Sequence, residues 1–421
     1  MSTYIGILSP MASAIRRLLG ITASLCSLPV GAWHIHRLGR AGGRRQAFAA
    51  KQCVESLGLP APVAGGSPLK RLAPGVFEIE RRWFAPFPTE PAAGMTVVHL
   101  LATGEHLHSP LPGLEKQCML QPALAAHRHL IVDTVASPDV LASPSSRSVQ
   151  QWHALRPVLA EIGGNTVFVG LGCGALAAID MAPRLAALDG RRVGVLGLSA
   201  PVAFEPVEPP ALHHIRALGP LADRLLAAER GMPSPLLRAQ DWWLRRACAK
   251  VAALLLTTLN SDSRPYLRWA AWDITQRRPA EALRRLCREL SMLEALRGED
   301  GRARMARAAS ALADSDRMQW SLQWGIDDPW LAVTAALAGS EAAFHHAGVP
   351  EARVECGLIS GWGHAIGRDS TGDYGELALR FVDLCDRVGP GVRGTRSSFI
   401  RLTSHGEREA QRPARNVSRR S

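Results

Sequence analysis

Short apolar runs, each closed by a cluster of turn-forming residues, organise the middle of the chain. Residues 95–101 (MTVVHLL), 129–133 (HLIVD), 166–169 (TVFV) and 192–198 (RVGVLGL) are almost continuously apolar over the length of a strand. Runs without the polar alternate positions of a half-wet sheet predict strands buried on both faces. Between them, residues 149–162 (VQQWHALRPVLAEI) and 175–188 (ALAAIDMAPRLAAL) return to apolar side chains every three or four positions. That is the spacing of a helix with one buried stripe. Residues 75–84 (GVFEIERRWF) alternate and predict an earlier strand. Strand, helix, strand, helix, strand with short connections predicts an α/β fold, a doubly wound and mostly parallel sheet covered on both faces.

The pattern changes at about residue 205. From there to 316 the strands stop, and segments such as QDWWLRRACAKVAALLL and PAEALRRLCRELSMLEALRG predict a helical insertion. Strand pattern resumes at 318–325 (MQWSLQWG) and 353–359 (RVECGLI), and residues 375–387 (GELALRFVDLCDR) predict a closing helix. Ahead of the body, residues 57–74 (LGLPAPVAGGSPLKRLAP) read as an irregular linker, because Pro and Gly punctuate them. The division that follows is a basic N-terminal helical or membrane-proximal segment (1–52), a linker with first strands (53–92), a core in two pieces (93–204 and 317–388), the helical insertion (205–316) and a basic, disordered tail (389–421).

Charge changes the picture less than its total suggests. Of the net +12 carried by the 421 residues, residues 1–51 hold +7 and residues 391–421 hold +6, which leaves −1 for everything between. A near-neutral body with basic ends argues against a dedicated nucleic-acid surface, so no specific nucleic-acid partner is expected. Residues 18–33 (LLGITASLCSLPVGAW) form an uncharged run behind Arg16 and Arg17, the outline of a signal or anchor. A helix of that length spans about 24 Å, short of the roughly 30 Å hydrocarbon core. His34, His36, Arg37, Arg40, Arg44 and Arg45 follow it and oppose translocation. The expectation is a cytoplasmic protein, peripheral on the inner membrane at most, with weak membrane-surface contact through the basic N-terminus. The eight cysteines are scattered with no CxxC pair, which reads as reduced thiols and no metal site, and nothing in the chain calls for a cofactor.

Three segments carry candidate chemistry. In TVFVGLGCGALAA a buried strand runs through a glycine-rich turn into a helix, and Gly170 and Gly174 flank Gly172 at two residues on either side. A nucleophile elbow has that form, since small flanking residues let the turn close and the helix amides help hold an oxyanion. WGIDDP ends a strand and presents Asp328, and SGWGH presents His364 from a glycine-flanked loop. A histidine acting as a base needs a carboxylate that fixes its tautomer and stabilises the imidazolium. Ser199, in GLSAP, ends the strand after the elbow, where packing or turn structure accounts for it.

The block VFVGLGCGALAAIDMAPRLAALDGRRVGVLGLSAP resembles the α/β-hydrolase superfamily, whose pattern here is a strand, G-x-S-x-G, a helix of small residues and a strand often ending in LSAP. It matches throughout except at the nucleophile, where Gly172 stands. WGIDDP is similar to the family's acid turn, with Asp328 selected over Asp327, and GWGHA to its histidine loop. The order elbow, acid, histidine is the family's. The resemblance covers about residues 93–388 and implies a sheet of α/β-hydrolase type, with residues 205–316 as an inserted helical lid. It implies oxyanion donors among Cys173, Thr103 and Gly104, although Glu105 beside that loop would repel an anion. It also implies a small-molecule apolar acyl substrate: an ester, a thioester or a similar carbonyl compound.

Glycine has no atom that attacks a carbonyl, so three readings of the site stay open. The turn shifts by one residue and Cys173 is the nucleophile. Alternatively, His364 and Asp328 act as a base dyad on water or on a substrate proton. In the third reading the pocket binds a ligand without covalent chemistry.

Overall fold

Hydrophobic runs bounded by turns become the strands of one eight-stranded sheet. The computed structural model describes residues 67–87, 95–101, 107–108, 110–133, 144–200, 298–326, 328, 331, 333–363, 366–367 and 373–389. The strands are β1 (Leu69–Ala73), β2 (Val76–Ile79), β3 (Thr96–Leu100), β4 (Arg128–Val132), β5 (Thr166–Leu171), β6 (Val193–Leu198), β7 (Met318–Gly325) and β8 (Val354–Ile359). They lie in the order β1-β2-β4-β3-β5-β6-β7-β8. β1 pairs antiparallel with β2, and β2 antiparallel with β4. All other neighbours run parallel. The fold is a doubly wound, mostly parallel α/β sheet covered by helices on both faces.

Side-chain alternation along the central strands builds two cores. Val98, Leu100, Leu130, Phe168, Val193, Val195, Trp320 and Leu322 face one side and pack with α2 (Pro144–Ile162), α3 (Cys173–Asp189), α4 (Gly298–Ala313) and α5 (Val333–His346). Val97, Leu101, Ile131, Val167, Val169, Leu196 and Leu198 face the other side, against α1 (Leu111–Leu120) and α6 (Tyr374–Val388). This explains why β3, β5 and β6 are buried at every position and read as unbroken apolar runs. Trp320 and Trp324 are fully buried on β7, and truncating either to alanine is expected to cost about 3–5 kcal/mol. Asn165, just before β5, ties the ends of two elements together: its amide donates to the Val388 carbonyl at 2.7 Å, and its carbonyl accepts from Arg192 N at 3.1 Å.

Two expectations need correction. Residues 69–73, inside the stretch read as linker, form β1, an edge strand whose hairpin to β2 turns at Pro74-Gly75. Gly75 sits at φ +76, where only glycine is comfortable, and an added Cβ would meet the Asp133 carbonyl at 2.5 Å. The strand predicted over 75–84 stops at Ile79, and Arg81–Phe84 winds into a 3-10 turn.

Helix α4 falls within the stretch expected to be a lid. Its Met305, Ala308, Ala309 and Leu312 are buried in the same core layer as α3 and α5. Arg304 pairs with Asp180 of α3 at 2.9 Å. The helical layer over the sheet therefore includes the end of that stretch, and residues 201–297 lie outside the described residues, as do the two basic ends. Among the described residues no helix is long and apolar enough to cross a membrane; the run 18–33 is not among them.

Candidate functional site

The elbow is built by glycine at three positions for two different reasons. β5 ends at Leu171 and α3 begins at Cys173, so a single residue makes the turn. That residue, Gly172, has φ 54° and ψ −119°, a conformation that disfavours any side chain. Its N–H donates to the Leu198 carbonyl at 2.8 Å, and its carbonyl accepts from Ala175 N at 3.0 Å, which locks the turn to β6 and to the helix. The flanks are glycine because of crowding. A Cβ on Gly170 would overlap the backbone of Gly174, and one on Gly174 would overlap the Leu100 carbonyl at the end of β3. The strained centre is thus Gly172, framed by 170 and 174. Cys173 is the first residue of α3, with 5 % of its surface exposed. A turn centred on Cys173 would need Leu171 at the crowded flank, but Leu171 is a buried β5 residue in the core beneath α6.

The acid turn and the histidine loop meet. Gly325 closes β7, and a Cβ there would overlap the carbonyl oxygens of both Trp362 and Gly363. Ile326 N donates to the Ile359 carbonyl at 3.1 Å, joining the two strand ends. Asp328 follows in a turn closed by its own N–H on the Gly325 carbonyl at 3.1 Å, and its Oδ1 accepts from Leu331 N at 3.1 Å. This carboxylate is buried, and its orientation is fixed by a backbone amide rather than by solvent. His364 follows Gly363 directly and lies outside the described residues, as do Thr103 and Gly104. The elbow and Asp328 therefore sit past the carboxyl ends of β5 and β7, the edge where open α/β sheets bind ligands, and the histidine loop reaches the same edge from β8.

Two further features are not singled out for chemistry by the sequence. Ser199, the residue after β6, is fully buried at φ 46°, the one non-glycine residue with positive φ among those described. Its Oγ has no hydrogen-bond partner among the described residues. The second is a pair of buried histidines. His129 Nε2 donates to the Leu124 carbonyl at 2.8 Å, so its Nδ1 is the acceptor for His99 Nε2–H at 3.0 Å. The imidazole centroids lie 5.3 Å apart, and Phe84 stacks on His129 at 5.0 Å. Burial pushes His129 down to about 3, against a smaller opposing effect from its bond to Leu124. The pattern x-H-x on two neighbouring parallel strands was the available signal, since His99 and His129 flank the register pair Val98↔Leu130.

Thiol chemistry is suppressed at three of the cysteines. Burial pushes Cys118 up to about 12, with Glu115 adding to it, and burial likewise raises Cys356 and Cys385. These are packing residues rather than nucleophiles.

No protein-family model matches the chain, and no curated protein matches it either. Solved structures resemble it only distantly. An esterase from Thermogutta terrifontis is 14 % identical with a TM-score of 0.45, covering 70 % of this chain and 90 % of its own. A carboxylesterase from Nitrososphaera gargenis is 11 % identical with a TM-score of 0.42, covering 76 % of this chain and 99 % of its own. A carboxyl esterase from Bacillus coagulans, in complex with glycerol, is 14 % identical with a TM-score of 0.43 and has the same coverage.

Proposed function

We propose that this protein hydrolyses an ester or a related apolar carbonyl compound by direct attack of water, with His364 as general base and Asp328 as its carboxylate partner. The observation that carries this reading is the acid turn packed on the residue preceding His364: Gly325 lies against the Gly363 carbonyl, three residues before the buried Asp328. An elbow without a side chain supplies no covalent nucleophile, so the hydrogen-bonding base must act on water. In the proposed step His364 takes a proton from water as its oxygen bonds to the carbonyl carbon. The tetrahedral intermediate then collapses, the carbon–oxygen bond to the alcohol breaks, and the imidazolium returns the proton to the departing alkoxide. Asp328 holds the imidazole in one tautomer and stabilises its cationic form. Backbone amides at Cys173, Thr103 and Gly104 are the proposed oxyanion donors.

The reading is tested by hydrolysis of p-nitrophenyl butyrate. His364→Ala and Asp328→Asn should each abolish most turnover, while Cys173→Ala should leave it within about twofold, because the thiol forms no bond in this mechanism. A wild-type protein that binds acyl compounds without turning them over supports the competing reading, a binding pocket without chemistry. The glycine at 172 is the observation that favours that alternative.

A further inference from the structure

Most buried hydroxyls find a partner, because an enclosed polar group without one destabilises the fold. Ser199 departs from that rule and from backbone preference at the same residue. It has no exposed surface, its Oγ is unpartnered among the described residues, and its φ of 46° lies where side chains are disfavoured. Its place in the sheet gives these departures a meaning. The β5–β6 register runs Gly170↔Gly197 and Leu171↔Leu198, so Gly172 and Ser199 are the next facing pair, just past the strand ends. On its other side, Ser199 N donates to the Gln323 carbonyl of β7 at 2.8 Å, two residues before the Gly325 that packs on the histidine loop. The serine therefore stands between the side-chain-free elbow and the acid turn. Local strain of this kind persists only where surrounding structure imposes it, and it concentrates at ligand contacts.

We propose that Ser199 is a ligand-contacting residue, its hydroxyl donating a hydrogen bond to the carbonyl oxygen of the bound ester. This deepens the hydrolytic reading above and rests on it. The role differs from that of a packing serine in one measurable way: the hydroxyl and its backbone strain weaken the unliganded protein and strengthen the complex.

The test compares wild type with Ser199→Ala and Ser199→Gly in three measurements. These are the thermal midpoint, kinetics on p-nitrophenyl butyrate, and tryptophan-fluorescence titration with N-phenylbutyramide, a carbonyl ligand that the enzyme does not turn over readily. The glycine variant should melt at or above wild type, since it loses both the strain and the unpaired hydroxyl. Both variants should lose about fivefold or more in kcat/KM and in amide affinity, the effect of one lost hydrogen bond. A lowered midpoint in the glycine variant, or unchanged kcat/KM and amide affinity in both variants, overturns the assignment of Ser199 and leaves the hydrolytic reading standing. Wild-type protein that binds the amide without hydrolysing the ester removes the hydrolytic reading alone, and the amide titration then decides on Ser199. Wild-type protein that does neither overturns both.

Discussion

Gly325 packs on Gly363 through backbone: beside the Trp362 carbonyl oxygen at 2.2 Å, the Gly363 carbonyl oxygen lies 2.4 Å from where a Cβ on Gly325 would stand. Three residues beyond the first lies Asp328, and one beyond the second lies His364. In the proposed mechanism, contact at this point would couple the spacing of Asp328 and His364 to the absence of a single methyl group. Gly325→Ala should push the two loops apart. The expected cost is about 1–3 kcal/mol of stability, the usual penalty of overpacking, together with a larger proportional loss of turnover. Urea midpoints and p-nitrophenyl butyrate kinetics on the same sample check both. An alanine variant that keeps wild-type activity would show that the contact does not set the dyad.

The elbow gives a choice between two neighbouring residues. Gly172→Ser should place a hydroxyl at the centre of the turn and create, or raise, ester hydrolysis with an acyl-enzyme burst, at some cost in stability because the conformation disfavours a Cβ. Cys173→Ala should change little. Loss of activity by orders of magnitude in the alanine variant would instead make the thiol a covalent nucleophile.

Cysteine reactivity checks the packing role of three other thiols without substitution. Cys118, Cys356 and Cys385 are held as thiols by burial, so iodoacetamide should leave them unlabelled in the native protein at pH 8. Peptide mapping by mass spectrometry reads this directly. Rapid alkylation at any of the three would mean that its helix or strand opens on the labelling timescale.

The histidine stack predicts acid sensitivity with a definite sign. Burial depresses His129 from the ordinary histidine value to about 3 in the folded chain, whereas the unfolded chain binds its proton near 6.5. The stability tied to neutral His129 is therefore fully present above about pH 6.5 and is lost as the pH falls from there toward 3. His108 and His127 are shifted the same way by burial and add to the slope. Urea denaturation between pH 7 and 5, above the main carboxylate range, should show stability falling with acid. The fall should be shallower in His129→Gln, which removes one of the shifted groups. Equal slopes in the two proteins would contradict the assignment.

Much of this was legible in the chain, and the exceptions have physical causes. The central strands were legible because burial on both faces leaves no polar alternation, as in TVFVGL, and the elbow frame because backbone crowding permits nothing but glycine at 170 and 174. β1 was obscured because an edge strand with Lys70 and Arg71 exposed follows a Pro/Gly-rich stretch, although Pro74-Gly75 was itself a hairpin signal. The strand over 75–84 was read too long because the alternation of GVFEIE gives way to a 3-10 turn at Arg81, and local propensity does not mark that change. Ser199 reads in sequence as packing or turn structure, which fits a fully buried residue just past β6, but its unpartnered hydroxyl and positive φ arise from the β5–β6–β7 register and not from its neighbours in sequence. The inserted stretch was expected as a helical lid, but helical spacing does not say which layer a helix joins. Arg304 and Met305 of α4 belong to the layer over the sheet.

The central claim is that His364, partnered by Asp328, activates water. The pH dependence of p-nitrophenyl butyrate hydrolysis by wild type, Asp328→Asn and His364→Ala tests it most directly. The account predicts that wild-type kcat/KM rises with pH through a single histidine-like ionisation, and that the alanine variant loses about 10²–10⁴ of the rate, the usual contribution of a general base, together with that ionisation. Wild-type turnover that survives His364→Ala, with its pH profile unchanged, would contradict it.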